Sequence, residues 1–459
     1  MFDKNVFENA IKIALSKGGD YCDIFVEEKH ITNIRLENSQ IKSISAGKIF
    51  GAGVRVIYGI NYIYVFASDV DEKKLLELAK SVSEALSLGK HGDFEYLNNR
   101  ESVILHNFSI LPENVNLNDK VEILKKADSA ARDYSSSIVQ VEINYSDLNQ
   151  KVWIANSEKK FVFEDRIRTR LAVNSIARKG DRIESGFYAP GKALGFEFFN
   201  KFKPEDIAKE SARIATVMLE ADYAPKGTLP VVIDNEFGGV IFHEACGHAL
   251  EATSVADNAS VFTGKLGEKI ANDCVTAIDD GTIPNEWGSN AYDDEGNRTQ
   301  KNILIENGYL KSYLVDKLGS IKMKVNPNGC GRKESYKYAP TSRMSNTYIA
   351  PGKYKLEELI SSIDYGLYCK KMGGGSVNPP TTDFNFAVSE AYLIKNGKID
   401  RPVKNASLIG KGSEIIKNID MVADNLDFGT GMCGSISGSV PANVGQPAIR
   451  VQGLVIGGR

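Results

Sequence analysis

The sequence predicts an α+β protein: N-terminal α+β units with antiparallel sheets, followed by a β-rich C-terminal domain that carries one histidine-bearing helix. Three observations lead there. Segments of helical period alternate with runs in which apolar and polar residues change places at every step. That succession occurs twice before residue 225. Beyond it the chain turns glycine-rich, with 28 of the 41 glycines in 228–459, which marks turns and close backbone approaches rather than long helices. At 459 residues the chain is too long for one ordinary core, and a prior of ~150 residues per domain gives about three units. The boundaries fall at 1–90, 91–225 and 226–459.

Taken in order, Val6, Ala10, Ile13 and Ala14 share a stripe, so 4–17 reads as a helix, which Gly18-Gly19 stops. CDIFVEE, TNIRLEN and QIKSISAG alternate as half-buried strands do. GAGVRVIYG and NYIYVFAS make a hairpin about Gly59-Ile60-Asn61, and Asp71 caps a helix over EKKLLELAKSVSEALSL. The aperiodic HGDFEYLNNRESVILHNFSILPEN connects two units. A helix near 118–133 precedes the strands IVQVEINYS, QKVWIANS, KFVFEDRIRTRLAVNSIAR and ESGFYAPG, and a helix near 203–221 closes the second unit. APKG at 224–227 punctuates the next boundary. In the third unit GTLPVVIDN is a strand and GGVIFHEACGHALEATS a helix. GCGRKES, KKMGGGSVNPP and DFGTGMCGSISGSVPANVGQP read as Gly-rich loops that assemble a site on a β scaffold.

Composition excludes several classes. Hydrophobic residues make 42% and charged residues 25% of the chain, as in an ordinary globular protein. A net charge of −3 gives no electrostatic reason to expect nucleic acid. No run approaches the ~18 apolar residues of a membrane span. The first residues, with Asp3 and Glu8 among apolar positions, form an amphipathic helix rather than a signal peptide. The expected location is the cytoplasm, where the six dispersed cysteines stay reduced. They show no CxxC, so a four-cysteine zinc site is not expected.

The chemistry concentrates in HEACGH. It places His243, Glu244 and His248 within six residues of a chain with five histidines. A zinc hydrolase needs neutral imidazoles to hold the metal, one open position for water, and a carboxylate to take the water's proton. The spacing differs from HExxH. Five residues rotate roughly 140° and rise ~7.5 Å along an α-helix, so a straight helix would point the imidazoles apart. Two histidines on one ion therefore require a helix widened or broken at Cys246–Gly247, as at a π-bulge. Spacing alone weighs equally for two unrelated histidines on a partly buried helix, with Glu244 on the surface. Candidates for a third ligand are Glu251, as ligand or as orienter of an imidazole, the acidic turn Asp293-Asp294-Glu295, and Cys433 in GTGMCGS. The acidic turn reads first as a solvated loop, and a single cysteine reads first as a small buried hydrophobe.

HEACGHALEA, YDDEGN, PTSRMSNTYIAPG, GGGSVNPPTTDFNFAVSEAYLI and GMCGSISGSVPANVGQPAIRVQGLVIGG together resemble the TldD/PmbA family, once called modulators of DNA gyrase. The resemblance is most specific over 228–459 and looser over 1–90. The PmbA (TldE) branch lacks HExxxH and acts as a partner, whereas the TldD branch carries it and is zinc metalloprotease-like. With His243, Glu244 and His248 all present, this chain resembles the TldD branch. The resemblance implies one Zn²⁺ per chain on His243, His248 and Cys433, with Glu244 as general base. It also implies cleavage of small or unfolded peptides in an interior chamber, and a homodimer or a heterodimer with a PmbA/TldE-type subunit. Residues that grip the peptide are not identified by it. Tyr336 and Tyr338, which otherwise read as exposed packing residues, and the GGGSVNPP stretch are candidates. Zinc is favoured by the mixed nitrogen and sulfur ligands, though iron or cobalt can use the same set.

Two other readings stand beside this one. Cys433 activated by His243 or His248 would make a cysteine-nucleophile hydrolase, which a chelator leaves active. A non-catalytic peptide-binding or regulatory subunit would need no base, so Glu244 argues against it.

Overall fold

In the computed structural model of the chain, residues 2–86, 92, 94–378 and 380–458 are described. The boundary drawn at residue 90 and Pro379 of the GGGSVNPP stretch lie outside them. Helix α1 (Lys4–Leu15) is followed by β1 (Tyr21–Glu37), β2 (Gln40–Tyr58), β3 (Asn61–Ser68) and α2 (Glu72–Leu86). The β2–β3 hairpin turns at Gly59-Ile60, with Tyr58 opposite Asn61. Asp71 caps α2 through an Oδ1 that accepts the Lys74 N–H at 2.7 Å, satisfying an amide with no partner inside the helix. Next come α3 (Leu117–Tyr134), β4 (Ile138–Asn156), β5 (Phe161–Lys179), β6 (Arg182–Tyr188) and α4 (Pro204–Leu219).

Strand β1 joins these two stretches. It pairs antiparallel with β2 on one side and with β4 on the other, Asp23 opposite Asn156 through Glu37 opposite Glu142. The result is one sheet ordered β3-β2-β1-β4-β5, with β6 on β5. Alternation along the strands decides what each face meets. Ile24 and Val26 of β1 pack with Phe7, Ile11 and Leu75 of α1 and α2. Ile34 and Leu36, farther along the same face, pack with Leu124 of α3 and Ala208 of α4. The intervening positions face the C-terminal part of the chain: Phe25 packs against Tyr292 and Tyr336, and a carboxylate oxygen of Glu27 accepts the Tyr336 N–H at 3.0 Å.

The C-terminal part contains two large sheets, besides a two-stranded pairing of Gly331–Arg332 with Thr341–Ser342. One uses β7 (Gly227–Ile233), β11 (Tyr365–Asn378), β12 (Asp383–Lys395), β13 (Lys398–Lys404), β14 (Ser407–Lys411) and β17 (Ile449–Gly457). It runs β11-β7-β17-β14-β12-β13, and β11 also pairs β12, so five of these strands close into a ring. The other uses β8 (Ala277–Asp280), β9 (Lys301–Glu306), β10 (Asn346–Ile349), β15 (Asp427–Ser435) and β16 (Gly438–Gln446), ordered β9-β8-β10-β16-β15. The largest apolar core lies between them and contains Ile241, Phe242, Leu250, Leu367 and Val444.

Two of the three stretches read as Gly-rich loops are strands. GGGSVN is the end of β11, where successive register shifts against β12 absorb the glycines as bulges. GTGMCGS and GSVPANVGQ are the two arms of the β15–β16 hairpin. Glycines at the pairing positions exposed too little apolar alternation for the period-two pattern to register.

Candidate metal centre

HEACGH lies between β7 and the second sheet, in a segment that changes helical type three times. Glu236–Gly239 is 3₁₀, Val240–Phe242 is α, His243–Gly247 is π and His248–Leu250 is 3₁₀ again. The His248 N–H donates to the His243 carbonyl, an i→i+5 bond that defines the widened turn. The five-residue interval therefore brings the two imidazoles together, ring centroids 5.2 Å apart, instead of diverging them, as the spacing required. The φ of Gly247 is −56°, so its need is spatial. A Cβ built there stands 2.3 Å from the Met344 Sδ. The helix is widened where Met344 presses against it.

The β15–β16 hairpin brings the third group. Cys433 Sγ lies 3.2 Å from His243 Nε2 and 3.3 Å from His248 Nε2. The two imidazoles stand at 86° to each other. One donor atom from each of the three residues falls within 4.8 Å of the others. Zinc holds nitrogen at ~2.05 Å and sulfur at ~2.3 Å, so a tetrahedral site separates N from S by ~3.6 Å. The observed distances need only a slight opening to accept such an ion. Among the described residues this is the one group of three or more His, Cys, Asp or Glu side chains spaced for a metal.

Electrostatics fit the same geometry. Burial raises the Cys433 pKa, but His243 and His248 outweigh it and hold the thiol down at about 3. Burial lowers that of His248, yet Glu251 and Cys433 drive it well above the ordinary histidine value. A thiolate between two imidazoles attracts a proton to them, and a dication at the centre would replace that proton. His248 Nδ1 lies 3.0 Å from Glu251 Oε2, so its outer nitrogen is fixed and Nε2 faces the cluster. Glu244 Oε2 stands 3.8 Å from His248 Nε2, with about a third of its side chain (31%) exposed.

Arg343 joins the two arms of the site. It is fully buried and donates from Nη2 to the Cys433 carbonyl, and from Nη1 to Ser437 Oγ and the Gly438 carbonyl, each at 3.0 Å. Its Nε lies 3.9 Å from Glu251 Oε1. One guanidinium thus ties the hairpin carrying Cys433 to the carboxylate that orients His248. No periodicity in the sequence pointed to Arg343; its only signal was its place in PTSRMSNTYIAPG.

Glu251 stands beside the cluster, touching His248 through its carboxylate. Asp293, Asp294 and Glu295 are buried, not solvated. Arg166 Nη1 donates to Asp294 at 2.6 Å, and Arg55 Nη2 donates to Glu295 at 2.6 Å. These carboxylates bind the C-terminal part to the N-terminal sheet, and the sequence missed them because their partners lie over a hundred residues away. Tyr336 is buried against that same sheet, not exposed; Tyr338 is half-buried.

Known proteins match along the whole length. Models of the PmbA/TldA metallopeptidase domain 1, central domain and C-terminal domain match residues 22–88, 110–219 and 226–458. The chain belongs to the PmbA/TldD metallopeptidase family. It is 35% identical over 466 residues to a Metalloprotease TldD homolog of Buchnera aphidicola subsp. Acyrthosiphon pisum, covering 99% of this chain and 96% of that protein. It is 35% identical over 460 residues to a Metalloprotease TldD homolog of Haemophilus influenzae, covering 98% and 95%. Its fold is that of a crystal structure from Thermotoga maritima described as a candidate modulator of a DNA gyrase. That match has a TM-score of 0.79 at 22% identity and covers 95% of this chain and 96% of the other. No helix among the described residues is long and apolar enough to cross a membrane.

Proposed function

We propose that the chain is a zinc-dependent peptidase of small or unfolded peptides, binding one Zn²⁺ through His243, His248 and Cys433 and using Glu244 as general base. The observation that carries this reading is the convergence of two imidazoles and a thiolate on one point with a partly exposed carboxylate beside them. Zinc, when bound, supplies Lewis acidity that polarises a carbonyl oxygen and acidifies a water. The other steps belong to the protein. Glu244 accepts the proton of the attacking water at its carboxylate and returns it to the leaving amine. Glu251 holds His248 in the tautomer that presents Nε2. Arg343 keeps the Cys433 strand in place from behind.

The chain works in the cytoplasm, as a homodimer or with a PmbA/TldE-type subunit. Light scattering of the purified chain, alone and with such a partner, separates the two assemblies. The test of the chemistry is Glu244→Gln. The variant is expected to keep one zinc by mass spectrometry and to lose at least ~10²-fold in cleavage of an unstructured peptide. Full activity in the metal-loaded variant overturns the assignment.

One observation favours a second reading: a thiol held at about 3 between two imidazoles is also a ready nucleophile. Dialysis against a chelator decides. The zinc enzyme loses activity and regains it with Zn²⁺; a cysteine hydrolase is unaffected.

A further inference from the structure

The face of the N-terminal sheet that looks toward the C-terminal part is paved with cations. Pairing registers place Lys29, Gln150 and Arg166 in one row across β1, β4 and β5. Ile31, Leu148 and Arg168 form the next, and Asn33, Ser146 and Arg170 the third. The RIRTR run of β5 thus sets three arginines on one side of the strand. Across from it stand Arg332 and Lys333, with Met432 and Pro441 of the β15–β16 hairpin. A cavity of about 200 Å³ lies between. Through Lys29, Leu148, Arg168, Met432 and Pro441 it adjoins a second of about 260 Å³, walled by Ile31 and Trp287.

The first cavity is lined by five cationic side chains and two carboxylates, Asp294 and Glu334. Both carboxylates are already engaged. Asp294 accepts from Arg166 at 2.6 Å and from the Lys333 N–H at 2.7 Å. Glu334 is exposed and accepts the Ser439 N–H at 2.8 Å. Arg166 is neutralised by Glu164 and Asp294. Lys29 has Glu27 at 3.9 Å. Arg168, Arg332 and Lys333 remain, 3%, 4% and 5% exposed, and among the described residues none has a carboxylate within 4.0 Å. Among the described residues, the Arg168 guanidinium donates only to the Trp287 and Ser289 carbonyls and to Asn290 Oδ1, and the Arg332 guanidinium only to the Met344 and Pro441 carbonyls. The Lys333 ammonium reaches Tyr64 Oη at 3.4 Å and lies over the Phe25 ring, 4.1 Å from its centroid, and over the Tyr64 ring.

Buried cations are normally paired. Three around one cavity, with no described carboxylate in direct contact, define a place for an anion. Their acidities lean the same way: burial, reinforced by Arg332 and Arg166 and opposed by Glu164 and Asp294, lowers Arg168 to about 9, and burial outweighs Asp294 and Asp279 to lower Arg332 to about 10 and outweighs Asp23 and Asp294 to lower Lys333 to about 8. The shape narrows the ligand. Three cross-strand rows spaced by two residues span ~14 Å, the length of about four extended residues. The first cavity is cationic; the second offers the apolar walls of Ile31, Leu148 and Trp287 beside the polar Asn33, Ser146, Asp147 and Arg170. An inorganic ion would leave those apolar walls unused.

We propose that this cleft is an exosite for the carboxylate of a bound peptide, either an acidic side chain or a free C-terminus, held by Arg168, Arg332 and Lys333. Met432 and Pro441, which form its wall, adjoin Cys433 and Val440 on the hairpin. A peptide seated here runs along the element that carries the thiol. The anion site stands on the geometry alone; that the anion belongs to a peptide rests on the peptidase reading.

The test is calorimetry on full-length, zinc-loaded Glu244→Gln protein, which reads binding without cleavage. Three N-acetylated hexapeptides of Gly, Ser and Ala are compared: one ending in a free acid, one in an amide, and one in an amide with a single internal Glu. At least one carboxylate peptide is expected to bind ~10-fold or more tightly than the neutral amide, and which one identifies the source. The difference is expected to vanish in Arg168→Met and in Lys333→Met. The second variant breaks no carbonyl contact and gives up the ammonium's contacts with Tyr64 and the Phe25 ring, on which the methionine side chain still packs. Equal affinity for all three peptides overturns the proposal, as does discrimination that survives both variants. Tight binding of inorganic phosphate without peptide discrimination overturns the assignment to carboxylate. Because no cleavage is measured, failure of the peptidase reading shows separately, as an intact wild-type digest.

Discussion

Replacing Gly247 by alanine puts a carbon where Met344 already stands. The new Cβ would lie 2.3 Å from Met344 Sδ and 3.1 Å from Met344 Cε. Contact between such atoms is comfortable at ~3.5–4.0 Å, so the thioether must retreat by more than an ångström. It has little room. Met344 is completely buried, and its carbonyl is held by Arg332. Overpacking of this kind costs ~1–3 kcal/mol. Alanine returns up to ~1 kcal/mol through its better helical propensity, and less in a π turn. The balance is a loss of about 1–2 kcal/mol, or ~2–8 °C in the melting of the C-terminal part. Since His248 follows directly, zinc affinity is expected to fall as well. Thermal unfolding of the metal-free protein and a competitive chelator titration measure the two effects. A double-mutant cycle with Met344→Ala isolates the contact and is expected to show ~0.5–3 kcal/mol of coupling. A Gly247→Ala protein that is more stable than its parent, or strict additivity in the cycle, refutes the argument that Met344 demands the glycine.

Cys433→Ser is expected to weaken zinc at least ~10-fold, because an alcohol is a far poorer ligand than a thiolate; one zinc per chain at unchanged affinity in a competition titration removes Cys433 from the ligand set. Arg343→Met is expected to lower zinc affinity ~10–100-fold without touching the metal, with Arg343→Lys intermediate, both read by the same titration. Glu295 carries a pH dependence. Burial pushes its pKa from 4.5 to about 8, with Asp316, Asp293 and Asp23 adding to the rise and Arg55 opposing it. The folded chain therefore keeps a proton that the unfolded chain releases, and stability falls as pH rises between about 4.5 and 8, by at most ~1.4 kcal/mol per unit. Glu295→Gln is expected to flatten that slope in denaturant melts across the range; an unchanged slope places the proton elsewhere.

Much of the fold was legible where one local rule sufficed. The Asp71 cap, the Gly59-Ile60 turn and the helix over 204–219 each depend on residues close in sequence, and each is present. The widened turn at HEACGH was legible too, since an interval of five residues does not bring His243 and His248 to one point on a straight helix. The rest depended on long-range partners. The acidic YDDEGN turn reads as solvated until Arg55 and Arg166, from a different sheet, reach it. Tyr336 reads as exposed until Phe25 packs on it. The β15–β16 arms read as loops because their glycines carry no apolar alternation, although backbone pairing alone holds them. Arg343 has no local signature beyond its place in PTSRMSNTYIAPG: what marks its role is three acceptors brought together by the hairpin tip.

Strand β1 has a practical consequence for anyone who cuts the chain. Fifteen of its residues, Asp23 to Glu37, are bonded to β4. A fragment ending after α2 would carry its own helices and hairpin, yet leave that whole row of amides and carbonyls bare. Such a border invites a second molecule to zip onto it. Truncation products of the first module should accordingly cluster in ladders rather than remain monomeric, and co-expression with the following segment should dissolve them.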